Sequence, residues 1–302
     1  MMSTTASEPA TRANPIPIRR IEFRLDPATM PRDYYHDDAH LTLVLNALST
    51  FFPDGERFFV DAVRMHKDRI TDPALLADIA GFIGQEAMHA KEHEALNALV
   101  DAQGLPRSTK FGIDAAAFLL NVGRKLPPRF QLAATCGLEH FTAILAEQLL
   151  NRPNHADKLA GPARELWLWH ALEEAEHKTV AYDVYLQSGG SRTFLGVTMI
   201  PVTALLIGAS ILTYTAMLAE RGELLEPRKL GRTLAYLWSP SGLFTELVPK
   251  YFTYFQAGFH PSRQDDSAAL ARTRELLFGE NGLLKEKLRQ VRVPGIKAVG
   301  AA

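Results

Sequence analysis

The chain of 302 residues contains a single cysteine, Cys136. That excludes an intramolecular disulfide framework and any cysteine-rich zinc site, and is compatible with a reducing compartment. Neither sign of charge dominates: 33 Lys and Arg face 34 Asp and Glu, for a net charge of −1. Without a basic excess there is no electrostatic footprint for nucleic acid, so no nucleic-acid partner is expected. Strand-like alternation is scarce, and Asn-Gly or Asp-Gly turns between alternating runs are lacking, which argues against a β fold. Residues 1–19 are rich in Ser, Thr, Ala and Pro and have no apolar run of the kind a secretory signal needs. They read as a disordered tail, and 1–37 as a whole as disordered or irregular.

Hydrophobic residues make up 47% of the chain, enough for a sizeable core. Their spacing is helical from about Asp37 onward. A first helical region is expected over 38–70, broken or kinked at Pro53. A second follows Thr71-Asp72-Pro73, where a capping residue precedes Pro at the first helical position. It runs to Ala102 and is ended by Gly104 and Pro106. A connecting helix is expected over Gly112 to Lys125, and a third long helix from Pro127-Pro128 to Asn151-Arg152-Pro153. A fourth covers Ala156 to Gln187 and stops at Gly189-Gly190. The stretch from Thr193 to Ala219 contains no charged residue. It is long enough to cross a bilayer, yet it carries several threonines and Pro201, and an all-round apolar helix also suits burial in a large protein or a subunit interface. Membrane association through 193–219, a cytoplasmic location and a homo-oligomer all remain open. The chain divides into a tail (1–37), a helical core (38–190) and an apolar helix with a C-terminal extension (191–302).

The chemistry lies in two similar helical segments. Successive helical residues turn by about 100°, so Glu86, His89 and His93 share one face within about 60°. His170, Glu174 and His177 also share a face, with Glu173 at its edge. Each segment thus presents a Glu-x-x-His unit, Glu86 with His89 and Glu174 with His177. A dinuclear carboxylate centre needs one further Glu from each of the two other helices. Glu56, in Gly55-Glu56-Arg57-Phe58-Phe59, and Glu139, in Leu138-Glu139-His140-Phe141, supply them. Both stand in apolar surroundings, where an unpaired carboxylate is costly and a metal removes the cost. The expected ligands are therefore Glu56, Glu86, His89, Glu139, Glu174 and His177.

These segments, together with Gly84-Gln85-Glu86 through His93, Trp169-His170 through His177-Lys178, and Gly258-Phe259-His260-Pro261, resemble a bacterial family of predicted metal-dependent hydrolases. That family is placed with the ferritin-like di-iron carboxylate superfamily. The resemblance implies an all-α fold, a ferritin-like four-helix bundle over about Asp38 to Gln187 with a helical C-terminal extension. It also implies a pair of divalent metal ions and a small-molecule substrate.

The other polar residues admit plainer readings. His93 and His170 are extra ligands, groups that orient the carboxylates, or polar neighbours of a crowded site. Glu173 competes with Glu174, and the spacing to His177 favours Glu174. His140 points away from Glu139, Cys136 suits a small buried hydrophobe, and Tyr182 and Tyr185 suit the core. Glu92, Glu94, Glu147 and Glu176 read as solvated, and His260 as a turn residue. Oxygen and nitrogen ligands without thiolate suit iron, with manganese or zinc as alternatives. The reaction is metal-assisted hydrolysis of a bound substrate or O2-dependent oxidation of an organic molecule, an apolar one being compatible. The family description favours hydrolysis, and the carboxylate-rich ligand set favours oxygen chemistry. A non-enzymatic role in metal binding or storage is the third reading.

Overall fold

The computed structural model describes residues 15–294, so the disordered reading of 1–14 lies outside the described residues. The protein is mainly helical. Helix α1 (Ala39–Ser49) is capped by the Asp38 carboxylate, which accepts from the Leu41 N–H. After a break at Thr50-Phe51, α2 (Phe52–Arg64) carries Pro53 in its first turn, where the missing N–H has no intrahelical partner to lose. Asp72 caps α3 (Pro73–Ala102) by accepting from the Ala74 N–H. Helix α4 spans Pro106–Arg124, α5 Pro128–Asn151, and the short α6 Pro153–Ala156.

Two expectations change here. Pro106 opens α4 instead of only ending α3, because Gly104 at φ 103° makes the turn within a three-residue link and Pro then suits a first helical turn. The fourth helix is not continuous: α7 (Gly161–His177) and α8 (Val180–Gln187) are separated at Lys178-Thr179. Helix α9 (Arg192–Arg221) follows and ends at Gly222, which adopts the left-handed conformation at φ 76°. Helices α10 (Pro227–Trp238), α11 (Leu247–Thr253) and α12 (Ser267–Phe278) complete the helical part.

Helix α2 packs on α3 and α5, α3 on α7 and α8, and α5 on α7 and α8, closing a ring of elements around a common interior. Phe58, Phe82 and Leu132 are fully buried in one apolar cluster of these helices, and Leu166, Trp169 and Leu172 in a second. Each such side chain stabilises the fold by about 1.5–3 kcal/mol relative to exposure.

The region before α1 is not irregular throughout. Strand β1 (Ile18–Ile21) pairs antiparallel with β2 (Leu288–Arg292), Arg19 opposite Val291. Ile16, Ile21, Phe23, Met30, Tyr34 and Tyr35 are buried. The segment lies tightly on α3 because two glycines admit it. A Cβ at Gly81 would stand 2.6 Å from Ile16 atoms, and one at Gly84 would stand 2.3 Å from Ile18. A local periodicity cannot show such a strand, since its partner lies at the far end of the chain.

Helix α9 packs on α5, α4 and α1. It buries Leu195, Thr198, Met199, Thr213 and Met217, so the polar residues that interrupt its apolar run lie partly on the inner face. The outer face is apolar and open, with Val197 63%, Ile200 60% and Leu212 61% exposed. By length and composition the helix is able to cross a membrane.

Candidate metal centre

Helices α2, α3, α5 and α7 bring Glu56, Glu86, His89, Glu139, Glu174 and His177 to one buried place, none of them more than 4% exposed. Glu86, Glu139 and His177 offer ligand atoms within 4.8 Å of one another, as do Glu56, Glu86 and His89, and also His89, His170 and Glu174. Glu56, His93 and His170 form a fourth such group; Glu56, Glu86, His89 and His170 each belong to two, so the groups overlap in one continuous cluster. His177 Nε2 lies 2.9 Å from Glu86 Oε1, 3.5 Å from Glu139 Oε2 and 3.6 Å from Glu174 Oε1. His89 Nδ1 lies 3.6 Å from Glu174 Oε1 and 4.0 Å from Glu86 Oε2.

Few of these approaches are hydrogen bonds. Both oxygens of Glu56, Glu86 and Glu139, with His89 Nδ1 and His177 Nε2, are buried and lack a hydrogen-bond partner. The short His177–Glu86 approach is out of line for one. Orphaned carboxylate oxygens of this kind cost several kcal/mol each in an apolar interior. A divalent cation between carboxylates and imidazoles supplies the missing partner, and the donor set suits one.

Ionisation follows the same geometry. Burial holds the Glu56 carboxyl well above its ordinary range, and the neighbouring Glu86, Glu174 and Glu139 add to it. Burial also holds Glu86 well up, partly offset by His177, and pushes Glu139 to about 7. Burial opposes ionisation of Glu174, but His177 and His170 outweigh it and hold the carboxyl well below its ordinary value. His177 is held well up: burial opposes its charge, and Glu174 and Glu86 prevail. His89 is lowered by burial and by His170.

The outward-facing nitrogens are fixed. His89 Nε2 meets Glu173 Oε2 at 3.1 Å, and Glu173 Oε1 accepts from Arg19 Nη1 at 2.9 Å. Arg19 also donates to both oxygens of Glu176 at 2.7 and 2.8 Å, and Arg274 donates to Glu176 at 2.8 Å. His177 Nδ1 meets Gln85 Oε1 at 2.9 Å, while Gln85 Nε2 donates to the Pro17 carbonyl at 2.9 Å and to Glu176 at 3.0 Å. Partners of this kind fix the tautomer and direction of an imidazole. Burial pushes Glu173 to about 8 although Arg19 pulls it down. Burial also opposes the charge on Glu176, but Arg19 and Arg274 hold that carboxyl low.

Four sequence readings are corrected here. Glu176 is buried in this ion-pair network, not solvated. Glu92 is 4% exposed, with Lys91 as its partner. Glu147 is mostly covered and pairs with Lys250 at 2.8 Å. Arg19, read as part of a disordered tail, is 6% exposed and reaches the site. Its only local signal is the apolar spacing of Ile16, Ile18 and Ile21 around it. Glu94 is exposed and pairs with Arg57. His140 is buried and contacts the Lys250 carbonyl at 3.2 Å, away from the cluster, and burial lowers it to about 4. Cys136 is buried and donates to the Ala181 carbonyl. Tyr182 donates to the Phe259 carbonyl, and His260 contacts Asp183 at 2.8 Å and caps a short turn of helix.

His93 and His170 occupy different positions. The Asn97 amide donates to the Ser49 carbonyl at 3.1 Å, which leaves its oxygen to accept from Ser49 Oγ at 2.8 Å. Ser49 Oγ then accepts from His93 Nδ1 at 2.9 Å, so His93 Nε2 accepts from His170 Nδ1 at 2.6 Å. His170 Nε2 lies within hydrogen-bonding distance of Glu174 Oε1, at 3.0 Å, and 3.9 Å from Glu56 Oε1.

A buried cluster of four carboxylates and three imidazoles, its outer nitrogens tied down, defines a metal-binding class of protein. Residues 17–265 match the family model described as predicted metal-dependent hydrolase, and the chain belongs to that family. No curated protein and no solved structure matches the chain.

Proposed function

We propose that the ring of α2, α3, α5 and α7–α8 is a ferritin-like four-helix bundle holding a pair of metal ions, and that the protein is an iron-dependent enzyme oxidising an organic substrate with O2. The observation that carries the reading is the set of orphaned oxygens on Glu56, Glu86 and Glu139, facing the orphaned nitrogens of His89 and His177. In this reading Glu56, Glu86, His89, Glu139, Glu174 and His177 are ligands, with Glu86 between the two centres. His170 is a seventh, and His93 holds its tautomer through Ser49 and Asn97. Glu173 and Gln85 orient His89 and His177.

When bound, the metals supply redox or Lewis-acid chemistry; four carboxylates stabilise the higher oxidation states of iron better than neutral imidazoles do. The chain's own residues exclude water and fix directions. Phe82 packs edge-on against His177 at 5.0 Å, Trp169 against His89 at 4.9 Å, and Phe52 against His170 at 4.7 Å. These rings hold the imidazoles in a dry setting, where the charge of the cluster acts more strongly than in water.

Hydrolysis is the second reading, favoured by the family description. The test is stopped-flow mixing of the anaerobic di-ferrous protein with oxygenated buffer. Oxidation faster than that of free ferrous ion, coupled to conversion of an organic substrate, is the expected result. Failure to oxidise, with ester cleavage by the zinc-loaded protein, overturns it in favour of hydrolysis.

A further inference from the structure

An apolar cavity of about 70 Å³ ends at His170 and Glu174. Its walls are Leu45 and Leu48 of α1, Leu145 and Leu149 of α5, and Phe52 of α2. The four leucines are only partly buried, so the cavity's outer end lies between α1 and α5, while Phe52 and His170 at its inner end are buried. Thr142 also lines it, but its hydroxyl is engaged with the Glu174 carboxylate and the Glu139 carbonyl. Besides His170 and Glu174 of the cluster, the lining holds Tyr35, whose hydroxyl is engaged with Tyr236, and Trp167, whose Nε1 is buried without a hydrogen-bond partner.

Size and lining together restrict the occupant. An engineered apolar cavity of roughly 150 Å³ takes benzene, and a water occupies about 30 Å³. A cavity of about 70 Å³ has about half that volume, too little for a whole ring and enough for a few methylene groups. A polar or charged occupant would lose its hydration against leucine side chains without replacement.

We propose that this cavity is the substrate channel, and that the substrate is a linear aliphatic chain entering between α1 and α5 with its end presented to His170 and Glu174. The proposal rests on the metal-centre reading for its chemistry but not for its binding. The apolar walls position the chain by dispersion and desolvation, and the small volume disfavours rings and branched groups.

Binding of n-butanol, n-hexanol, n-octanol and cyclohexanol is measured by titration calorimetry on the full-length protein, once metal-free and once loaded with cobalt(II). The metal-free protein tests the cavity. Affinity is expected to rise about fourfold per added methylene until the cavity is full. Cyclohexanol is expected to bind about tenfold more weakly than n-hexanol, the cost of forcing bulk into a small site. Ala146→Leu fills the cavity from α5, and Leu145→Trp blocks its rim at a partly exposed position; each is expected to weaken n-octanol about tenfold. Thermal unfolding checks that each variant is folded, and the rim variant serves if the buried one is not. Affinities independent of chain length, cyclohexanol binding as tightly as n-hexanol, or an unaffected rim variant overturns the proposal.

The cobalt arm separates the two claims. If n-octanol shifts the visible bands of bound cobalt(II), the chain end reaches the metals as proposed. If cobalt(II) binds and n-octanol binds without moving those bands, the channel does not lead to the centre and the proposal is wrong. If cobalt(II) does not bind at all, the metal-centre reading fails, and the substrate assignment falls with it even where the alcohols bind.

Discussion

Replacing Arg19 by Met removes the cation that bridges Glu173 and Glu176 and leaves an apolar side chain of similar length. Breaking a buried ion pair by removing one partner costs about 3–5 kcal/mol. Two features of this site place the cost near the lower end. Glu176 keeps Arg274 and Gln85 as partners. Glu173, pushed to about 8 by burial even with Arg19 pulling it down, rises further without that cation and is not left as an unpaired charge at neutral pH. A loss of roughly 3 kcal/mol corresponds to a fall in Tm of roughly 5 °C for a chain of this size. Arg19 also fixes the Glu173 carboxyl against His89 Nε2; without that anchor His89 loses its orienting partner, and loss of such a partner typically costs about 10–100-fold in metal affinity. Denaturant unfolding and a competitive titration with manganese or zinc measure the two effects. Adding Glu173→Gln to Arg19→Met is expected to recover part of the stability, since an amide oxygen still accepts from His89 without needing a cation. Unchanged stability together with a metal affinity within about threefold of wild type would refute the account of Arg19 as the anchor of His89.

Glu174→Ala or His89→Ala is expected to abolish most metal binding, while Glu94→Ala, at an exposed position of α3, leaves it unchanged; equal losses by elemental analysis would show that the cluster is not the metal site. Glu139, held at about 7 in the metal-free protein against an ordinary 4.5, contributes stability that is present below about pH 4.5 and lost as pH rises through 7. The metal-free protein is therefore expected to lose denaturant resistance over that range, and the metal-loaded protein to lose much less; parallel pH profiles would contradict it. The open outer face of α9 predicts recovery with membranes or as an oligomer on detergent-free fractionation, and a soluble, monodisperse monomer would exclude both.

Much of this arrangement was legible because it is periodic. Asp72-Pro73 marks the start of α3, and the spacings Glu86 to His89 and Glu174 to His177 put each pair on one helical face. Glu56 and Glu139 were visible as carboxylates in apolar company. What was not legible depends on contacts between distant segments. Arg19 reaches Glu173 across 154 positions, and β1 finds β2 at the opposite end of the described chain. Glu176 reads as solvated because helical position alone cannot show that Arg19 and Arg274 converge on it. The break at Lys178-Thr179 has no Gly or Pro to announce it; Lys178 is held instead by the Gln264 carbonyl and Asp266, from a segment far along the chain. The roles of His93 and His170 separate only once Ser49 and Asn97, on α1 and α3, set the direction of the hydrogen bonds.

The central claim is that Glu56, Glu86, His89, Glu139, Glu174 and His177 hold a pair of metal ions. Elemental analysis of protein purified anaerobically from iron-supplemented cells tests it most directly. The account predicts about two equivalents of transition metal per chain, falling to about one or none in Glu86→Ala, because that carboxylate offers ligand atoms to two of the candidate groups. Wild-type protein that stays folded yet binds no transition metal, even after reconstitution with iron, manganese and zinc, would contradict it.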